Sequence, residues 1–221
     1  LSVRGIAAGS VYSAVWFEDG SARLFGRDLA MTSLGTAAGP LGQVRMVAMN
    51  AQDVVVILED GTGYAGPVTS PGQLALLVDT EGFPVGNLVV ADAGDDFFVA
   101  LNRFGQALTW GRTYSNALGR PEGIHPTELP YPAVLADTVT ALKDSRVMSC
   151  GSDHTLTVNV TGTLYGWGSG TDGRIDPARS NQFQVATPFT VTGLSGVKAL
   201  ACGGRQSLAI DGLGRVWRWG R

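Results

Sequence analysis

One pattern occurs five times in this chain, and that repetition constrains the fold more than any single motif. The copies are VRGIAAGSVYSAVWFEDGSARLFG (3–26), VRMVAMNAQDVVVILEDGTGYAG (44–66), LVVADAGDDFFVALNRFGQALTWG (88–111), SRVMSCGSDHTLTVNVTGTLYGWG (145–168) and VKALACGGRQSLAIDGLGRVWRWG (197–220). Self-similarity at a period of several tens of residues marks a repeat architecture, in which each unit buries its apolar faces against its neighbours.

The anchors hold in register. Gly9, Asn50, Gly94, Gly151 and Gly203 are each followed eleven positions later by Gly20, Gly61, Gly105, Gly162 and Gly214. Asn tolerates a left-handed backbone best among non-glycine residues, so Asn50 in the first series predicts a positive φ there. Phe25-Gly26, Trp110-Gly111, Trp167-Gly168 and Trp219-Gly220 close four of the copies; the second is one residue short and ends at Gly66 without the aromatic. Between the two anchors apolar residues alternate, as in Val55/Ile57, Val99/Leu101, Leu156/Val158 and Leu208/Ile210, which is the period of a strand. The unit reads strand, glycine turn, strand, glycine turn, strand, then a variable segment supplying a fourth strand, best marked by Pro188-x-x-Val191-x-x-Leu194. The closing glycines are 40, 45, 57 and 52 residues apart, the spacing of four-stranded propeller blades rather than of a helical solenoid. Composition agrees: 31 glycines, 10 prolines, 44% hydrophobic and 16% charged residues suit short strands and tight turns.

The fourth copy resembles the regulator of chromosome condensation (RCC1) repeat through Cys150, Gly151, His154, Thr155, Leu156, Gly162, Leu164, Tyr165, Trp167, Gly168, Gly170 and Gly173. The fifth matches through Cys202, Gly203, Ser207, Leu208, Gly214, Val216, Trp217, Trp219 and Gly220, while copies one to three are progressively degenerate. The resemblance implies an all-β, RCC1-like β-propeller with about five blades in this chain. It forms one propeller region over 1–221, with repeats near 3–43, 44–87, 88–144, 145–196 and an incomplete 197–221. Propellers of this family usually have seven blades, so the resemblance implies part of a seven-bladed ring. An open or heteromerically completed arc and a divergent five-bladed ring are the other readings. The chain starts at Leu1, with neither Met nor a basic-then-apolar leader, so a processed product or internal fragment is expected. An uncapped array exposes strand edges and an apolar blade face, so further sequence or a partner is expected to cover both.

Several motifs look like sites until the copies are aligned. Cys150, Asp153 and His154 suggest a zinc set or a Cys/His nucleophile pair. Yet the His154 place holds Tyr12, Asp53, Phe97 and Gln206 in the other copies, and the Cys150 place holds Ala8, Met49, Ala93 and Cys202. These are expected framework positions, with His154 bonded to backbone and the two cysteines as small buried fillers that form no disulfide. Gly94, Gly105, Trp110, Gly111, Gly151, Gly162, Trp167, Gly168, Gly203, Gly214, Trp219 and Gly220 complete that framework. Gly168 to Gly173 spells a dinucleotide fingerprint, but no helical period follows to present amides to a pyrophosphate. Asp92, Asp95 and Asp96 lack the spacing of a calcium loop and read as a solvated turn. His125 and His154, the only histidines, make no triad, and the tryptophan signature of the family's plant UV-B photoreceptor is absent, the place reading Gly204-Arg205-Gln206-Ser207. No cofactor, metal or catalytic residue is assigned.

The net charge of −3 and pI near 5.3, with no Lys/Arg run, argue against direct nucleic-acid binding. The longest apolar runs, such as VVVIL at 54–58, fall far short of the roughly 18 residues of a spanning helix. Two cysteines suit a reducing, intracellular compartment, and the Asn159-Val160-Thr161 sequon alone does not outweigh them. The widest differences among copies lie in 112–144 and 169–196, where Arg112, Tyr114, His125, Tyr131, Arg174 and Arg179 read as exposed protein-binding anchors. The expected function is a non-enzymatic interaction propeller, a scaffold or subunit bound to protein partners in a multi-subunit complex or to further blades of the same parent. Guanine-nucleotide exchange on a small GTPase, implied by the resemblance, is the alternative, with inhibitory binding a third.

Overall fold

A computed structural model describes residues 1–27, 29–79, 82–112, 115–119, 142, 144–179 and 184–221. Leu1–Ala91 form one compact unit, and the described residues from Asp92 onward form a second. Among the described residues, apart from two single-turn 3-10 helices, Thr171–Gly173 and Pro177–Arg179, the regular structure is strand, as the repeat predicts. Among the described residues no helix is long and apolar enough to cross a membrane.

In the first unit, blade 1 orders Val3–Ala8, Ser13–Phe17, Ala22–Gly26 and Leu29–Ser33 side by side, and blade 2 pairs Val44–Met49, Asp53–Leu58, Gly63–Pro67 and Ala75–Leu76 in the same way. A two-stranded hairpin, Gly35–Thr36 with Gly39–Pro40, lies between them in sequence. Ala14, Trp16, Ala22 and Leu24 of blade 1 and Val44, Val47, Val54 and Val56 of blade 2 share one buried cluster.

Blade 3 (Leu88–Ala93, Phe97–Asn102, Ala107–Gly111) begins where the unit boundary falls. Blade 4 has four strands, Ser145–Cys150, His154–Asn159, Leu164–Ser169 and Gln184–Thr190; blade 5 has three, Ala199–Gly203, Gln206–Ile210 and Val216–Gly220. The fourth strand of blade 4 contains Pro188 but ends before Val191 and Leu194. Val191 still packs inward, because its amide donates to the Leu164 carbonyl beyond the strand end.

The left-handed backbone lies at the second glycine series rather than the first. Gly20, Gly61, Gly105, Gly162 and Gly214 have φ of 82°, 85°, 74°, 81° and 79°, whereas no residue of the first series has positive φ. Asn50 is there for another reason: its side-chain oxygen accepts the amides of Gln52 and Asp53, both at 2.9 Å, closing an Asx turn. Gly94 and Gly151 are small because the side chain three residues on, Phe97 or His154, folds over them.

The second glycine series is also where blades are joined. The carbonyls of Gly20, Gly61, Gly105 and Gly162 accept the amides of Val44, Leu88, Ser145 and Val197, which open the following blade, at 3.0, 2.9, 3.2 and 3.2 Å. A Cβ on Gly105 or Gly162 would stand 2.5 Å from Asp144 Cα or 2.7 Å from Gly196 Cα, so the joint requires glycine twice over, for φ and for approach. The middle strands record the result. In blades 1 to 4 both faces are covered, with Ala14, Val55, Val99 and Leu156 at 1% exposure or less, while Leu208 at the same place in blade 5 is 38% exposed.

Candidate interaction surface

Unit 2 adds polar ties to the apolar joint. Asp92 accepts the Cys150 amide at 2.8 Å and the Ser149 hydroxyl at 3.2 Å, and Ser149, one blade further on, accepts the Cys202 amide at 2.9 Å. Asp95 N–H donates to the Ser152 carbonyl and Ser152 N–H to the Gly204 carbonyl, both at 2.9 Å, repeating the same step. Asp92 is therefore no solvated turn residue; burial raises its carboxyl above the usual carboxylate range, against the pull of the hydrogen bonds it accepts.

His154 is completely buried and faces a side chain rather than backbone. Its Nε2 lies 2.9 Å from Ser207 Oγ, whose own hydrogen is directed to the Arg174 carbonyl at 2.6 Å. With the hydroxyl proton committed, Nε2 must donate, which assigns the neutral tautomer and leaves Nδ1, against Gly151, without a partner among the described residues. Burial, and secondarily the Arg174 charge, lower its pKa from 6.5 to about 4. Cys150 and Cys202 are free thiols. Burial pushes Cys150 well above its ordinary value and Cys202 up to about 12, so neither is a poised nucleophile near neutral pH.

The segment after Trp167-Gly168, expected to be recognition surface, is largely absorbed into the fold. Arg174 is 2% exposed rather than presented to a partner. Asp153 and Asp172 pair with its guanidinium, and its Nε donates to the Thr171 carbonyl at 2.8 Å. Such a charge resides inside only when paired and hydrogen-bonded. Ile175 is buried, and its carbonyl accepts the Trp219 indole N–H at 3.1 Å. Trp167 does the same one blade earlier, donating to the Ala117 carbonyl at 2.9 Å. Each of these closing tryptophans thus reaches back into the insertion of the preceding blade. Trp110 instead stacks on Phe98, ring centres 5.6 Å apart.

Of the remaining anchors, Arg112 is exposed at the head of its insertion. Arg179 lies over the Phe189 ring at 4.5 Å and 3.8 Å from Asp176, with 45% of its side chain exposed. Tyr114, His125 and Tyr131 lie outside the described residues. Arg174 and Arg179 thus both belong to the blade 4 insertion, the first buried and the second half exposed, while Arg112 opens a separate insertion.

Asn102, Asn159 and Asp211 occupy one place in copies three to five, and each side-chain oxygen accepts two turn amides at 2.9–3.1 Å. Asn159, the sequon residue, is therefore a turn former.

Four-stranded antiparallel blades, joined at a glycine carbonyl and closed by an aromatic-glycine pair, define an all-β propeller protein. A profile of the regulator of chromosome condensation (RCC1) repeat matches residues 147–174. The chain is 30% identical over 183 residues to the human E3 ubiquitin-protein ligase HERC2, covering 80% of this chain and 4% of that protein. It is 25% identical to the bovine secretion-regulating guanine nucleotide exchange factor, covering 81% of this chain and 41% of that one. The crystal structure of Prp20p from Saccharomyces cerevisiae superposes with a TM-score of 0.75 at 16% identity, over 99% of this chain and 58% of that one. The chain belongs to the RCC1-like repeat family, and it spans less than two thirds of each of these three proteins.

Proposed function

We propose that this propeller is a protein-interaction module without catalysis of its own, recognising its partner through the insertion between blades 3 and 4. The observation that carries this reading is the difference between its two insertions. The one in blade 4 is committed to the fold through buried Arg174 and Ile175. The one that opens at exposed Arg112 is the longest variable segment of the chain. Shared blades beneath different loops also fit relatives whose names differ as widely as a ubiquitin ligase and an exchange factor, since function on a common fold resides in what is grafted on it.

Only the middle of the insertion is to be exchanged in a test. Ala117 and Leu118 are buried, and their carbonyls accept from Trp167 and Thr109. Replacing 120–141 by a short Gly/Ser loop is expected to keep the β-rich spectrum and melting temperature and to abolish stable complexes recovered with the tagged chain. Unchanged recovery from a folded variant overturns the assignment.

A second reading is guanine-nucleotide exchange on a small GTPase. It is supported by the similarity to the secretion-regulating exchange factor and by the likeness to Prp20p, whose crystal structure is described with its binding to Gsp1p and histones. Accelerated release of labelled nucleotide from a member of a purified GTPase panel, lost on replacing 120–141, would favour it over pure scaffolding.

A further inference from the structure

In blade 2 one carboxylate is held by cations from two neighbouring blades, and blade 5 repeats the cations without the carboxylate. Glu59, two residues before Gly61, pairs with Arg4 of blade 1 and with Arg45 of its own blade, whose Nε and Nη2 each lie 3.2 Å from Oε2. Arg4 and Arg45 occupy one repeat position, directly after Val3 and Val44. That position, directly after Ser145 and Val197, holds Arg146 in blade 4 and Lys198 in blade 5. The Glu59 place, two residues before Gly214, holds Gly212.

The cations there have no substitute partner. A Cβ on Gly212 would stand 3.8 Å from Lys198 Cε, so a side chain at this place would start beside the lysine stem. Asp211, the preceding residue, is committed elsewhere: its Oδ2 accepts the Arg215 Nε–H at 2.7 Å and the Trp217 indole N–H at 2.9 Å. Among the described residues of unit 2 the ion pairs use Arg174, Arg179, Arg205 and Arg215, while Arg146 and Lys198, both exposed, enter none.

This seat is at the turn end of the strands, not on the face that one blade turns to the next. In blade 2, where Leu88 follows on the Gly61 carbonyl, Arg45 and Glu59 still keep 34% and 36% of their side chains exposed. Apolar turn residues flank it. Val160 and Leu213 are 56% and 80% exposed, and Phe104, at the Leu213 place in blade 3, is 57% exposed although blade 4 follows it.

We propose that the turn end of blades 4 and 5 binds an acidic segment of a protein partner. One carboxylate of that segment stands between Arg146 and Lys198 as Glu59 stands between Arg4 and Arg45, and aliphatic side chains beside it cover Val160 and Leu213. The anion is a carboxylate because that is what the same repeat positions hold in blade 2. Two cations between apolar tips do not provide the row of phosphate contacts that a nucleic acid requires. The proposal does not depend on the function proposed above, which uses the insertion 120–141.

The probe is a fluorescein-labelled peptide of alternating glutamate and leucine, titrated with the full 221-residue chain at low ionic strength and read by anisotropy. Saturable binding is expected, weakened roughly fivefold by Arg146→Gln or Lys198→Gln and unchanged by Arg45→Gln, whose carboxylate partner is in the chain. Gly212→Glu is expected to abolish binding by filling the seat from within, and the backbone accommodates it because Gly212 has no positive φ. The same variant is expected to raise the melting temperature at low salt, a gain that disappears when Lys198→Gln is added. All of these changes are at the surface and are expected to keep the wild-type circular dichroism. Absence of saturable binding overturns the proposal, as does undiminished binding by the Gly212→Glu variant. Tighter binding of a single-stranded oligonucleotide of equal charge, also weakened by Lys198→Gln, overturns it in favour of a phosphate site.

Discussion

Blades 4 and 5 have nearly the same sequence pattern and very different surroundings. Their middle strands, His154–Asn159 and Gln206–Ile210, align residue for residue, but the first is buried on both faces and the second alternates buried and bare. Periodicity of two says which side chains share a face; it does not say whether anything covers that face. The difference separates what the repeat sequence supplies by itself from what a neighbouring blade adds.

The largest test of that separation is to truncate the same position in both blades. Leu156→Ala is expected to destabilise the protein by about 3 kcal/mol, since it opens a cavity where the side chain is fully enclosed. Leu208→Ala, 38% exposed, is expected to cost about 1 kcal/mol or less. Urea unfolding with an unchanged denaturant slope measures both. Equal losses would mean that blade 5 is covered in solution.

The next test uses pH. His154 has a depressed folded pKa of about 4 against 6.5 unfolded, so the unfolded chain binds the proton first. Its contribution is complete above pH 6.5, declines as pH falls through the window from 6.5 to about 4, and is gone below that. Over this window the loss amounts to roughly 3 kcal/mol at 1.36 kcal/mol per pH unit. The counterpart in blade 5 is Gln206, which does not titrate. His154→Gln is accordingly expected to flatten the difference in stability between pH 7 and pH 4.5 relative to wild type. A variant with the wild-type slope would show that His154 is accessible to protons in the folded state.

How much of this was legible in the sequence follows from the same comparison. Strand order, the two glycine turns and the closing Trp-Gly were readable because each recurs with identical spacing, and recurrence separates frame from site. The φ assignment failed at Asn50 because Asn serves equally well as a left-handed residue and as an Asx-turn acceptor, and spacing alone does not choose between them. Arg174 was misread as surface because an arginine in a variable loop is ordinarily exposed, and its partners, Asp153 and Asp172, meet it only once the blade has folded. The His154 partner was hidden for a related reason: Ser207 lies in the next copy, 53 residues away.

The two glycine turns offer a smaller effect. Alanine at either position must adopt a left-handed backbone, at about 1 kcal/mol. At Gly214 that is the whole expected loss, because a Cβ meets nothing within 4 Å. At Gly162 the Cβ would also push Gly196 Cα from 2.7 Å, so Gly162→Ala is expected to cost about twice as much and to weaken protection of the Val197 amide in hydrogen exchange. Blade-independent losses would mean that φ alone fixes glycine there.

The smallest expected effect lies at the rim of the joint between these blades. Arg205 of blade 5 reaches Asp172 of the blade 4 insertion at 3.7 Å, but 61% of its side chain is exposed, whereas Arg174, pairing with the same carboxylate, is 3% exposed. An exposed pair at that distance offsets its modest attraction by ordering a long side chain, and salt screens what remains. Arg205→Ala is therefore expected to change stability by about 0.5 kcal/mol or less, with the difference fading at high ionic strength. Arg174→Met is expected to exceed it several-fold and to persist in salt, because removal of the buried guanidinium takes from Asp153 its ion-pair partner and leaves Asp172 with only the exposed Arg205. Should Arg205→Ala prove the more damaging of the two, the joint between blades 4 and 5 would be held at its charged rim rather than by the apolar and His154–Ser207 contacts beneath it.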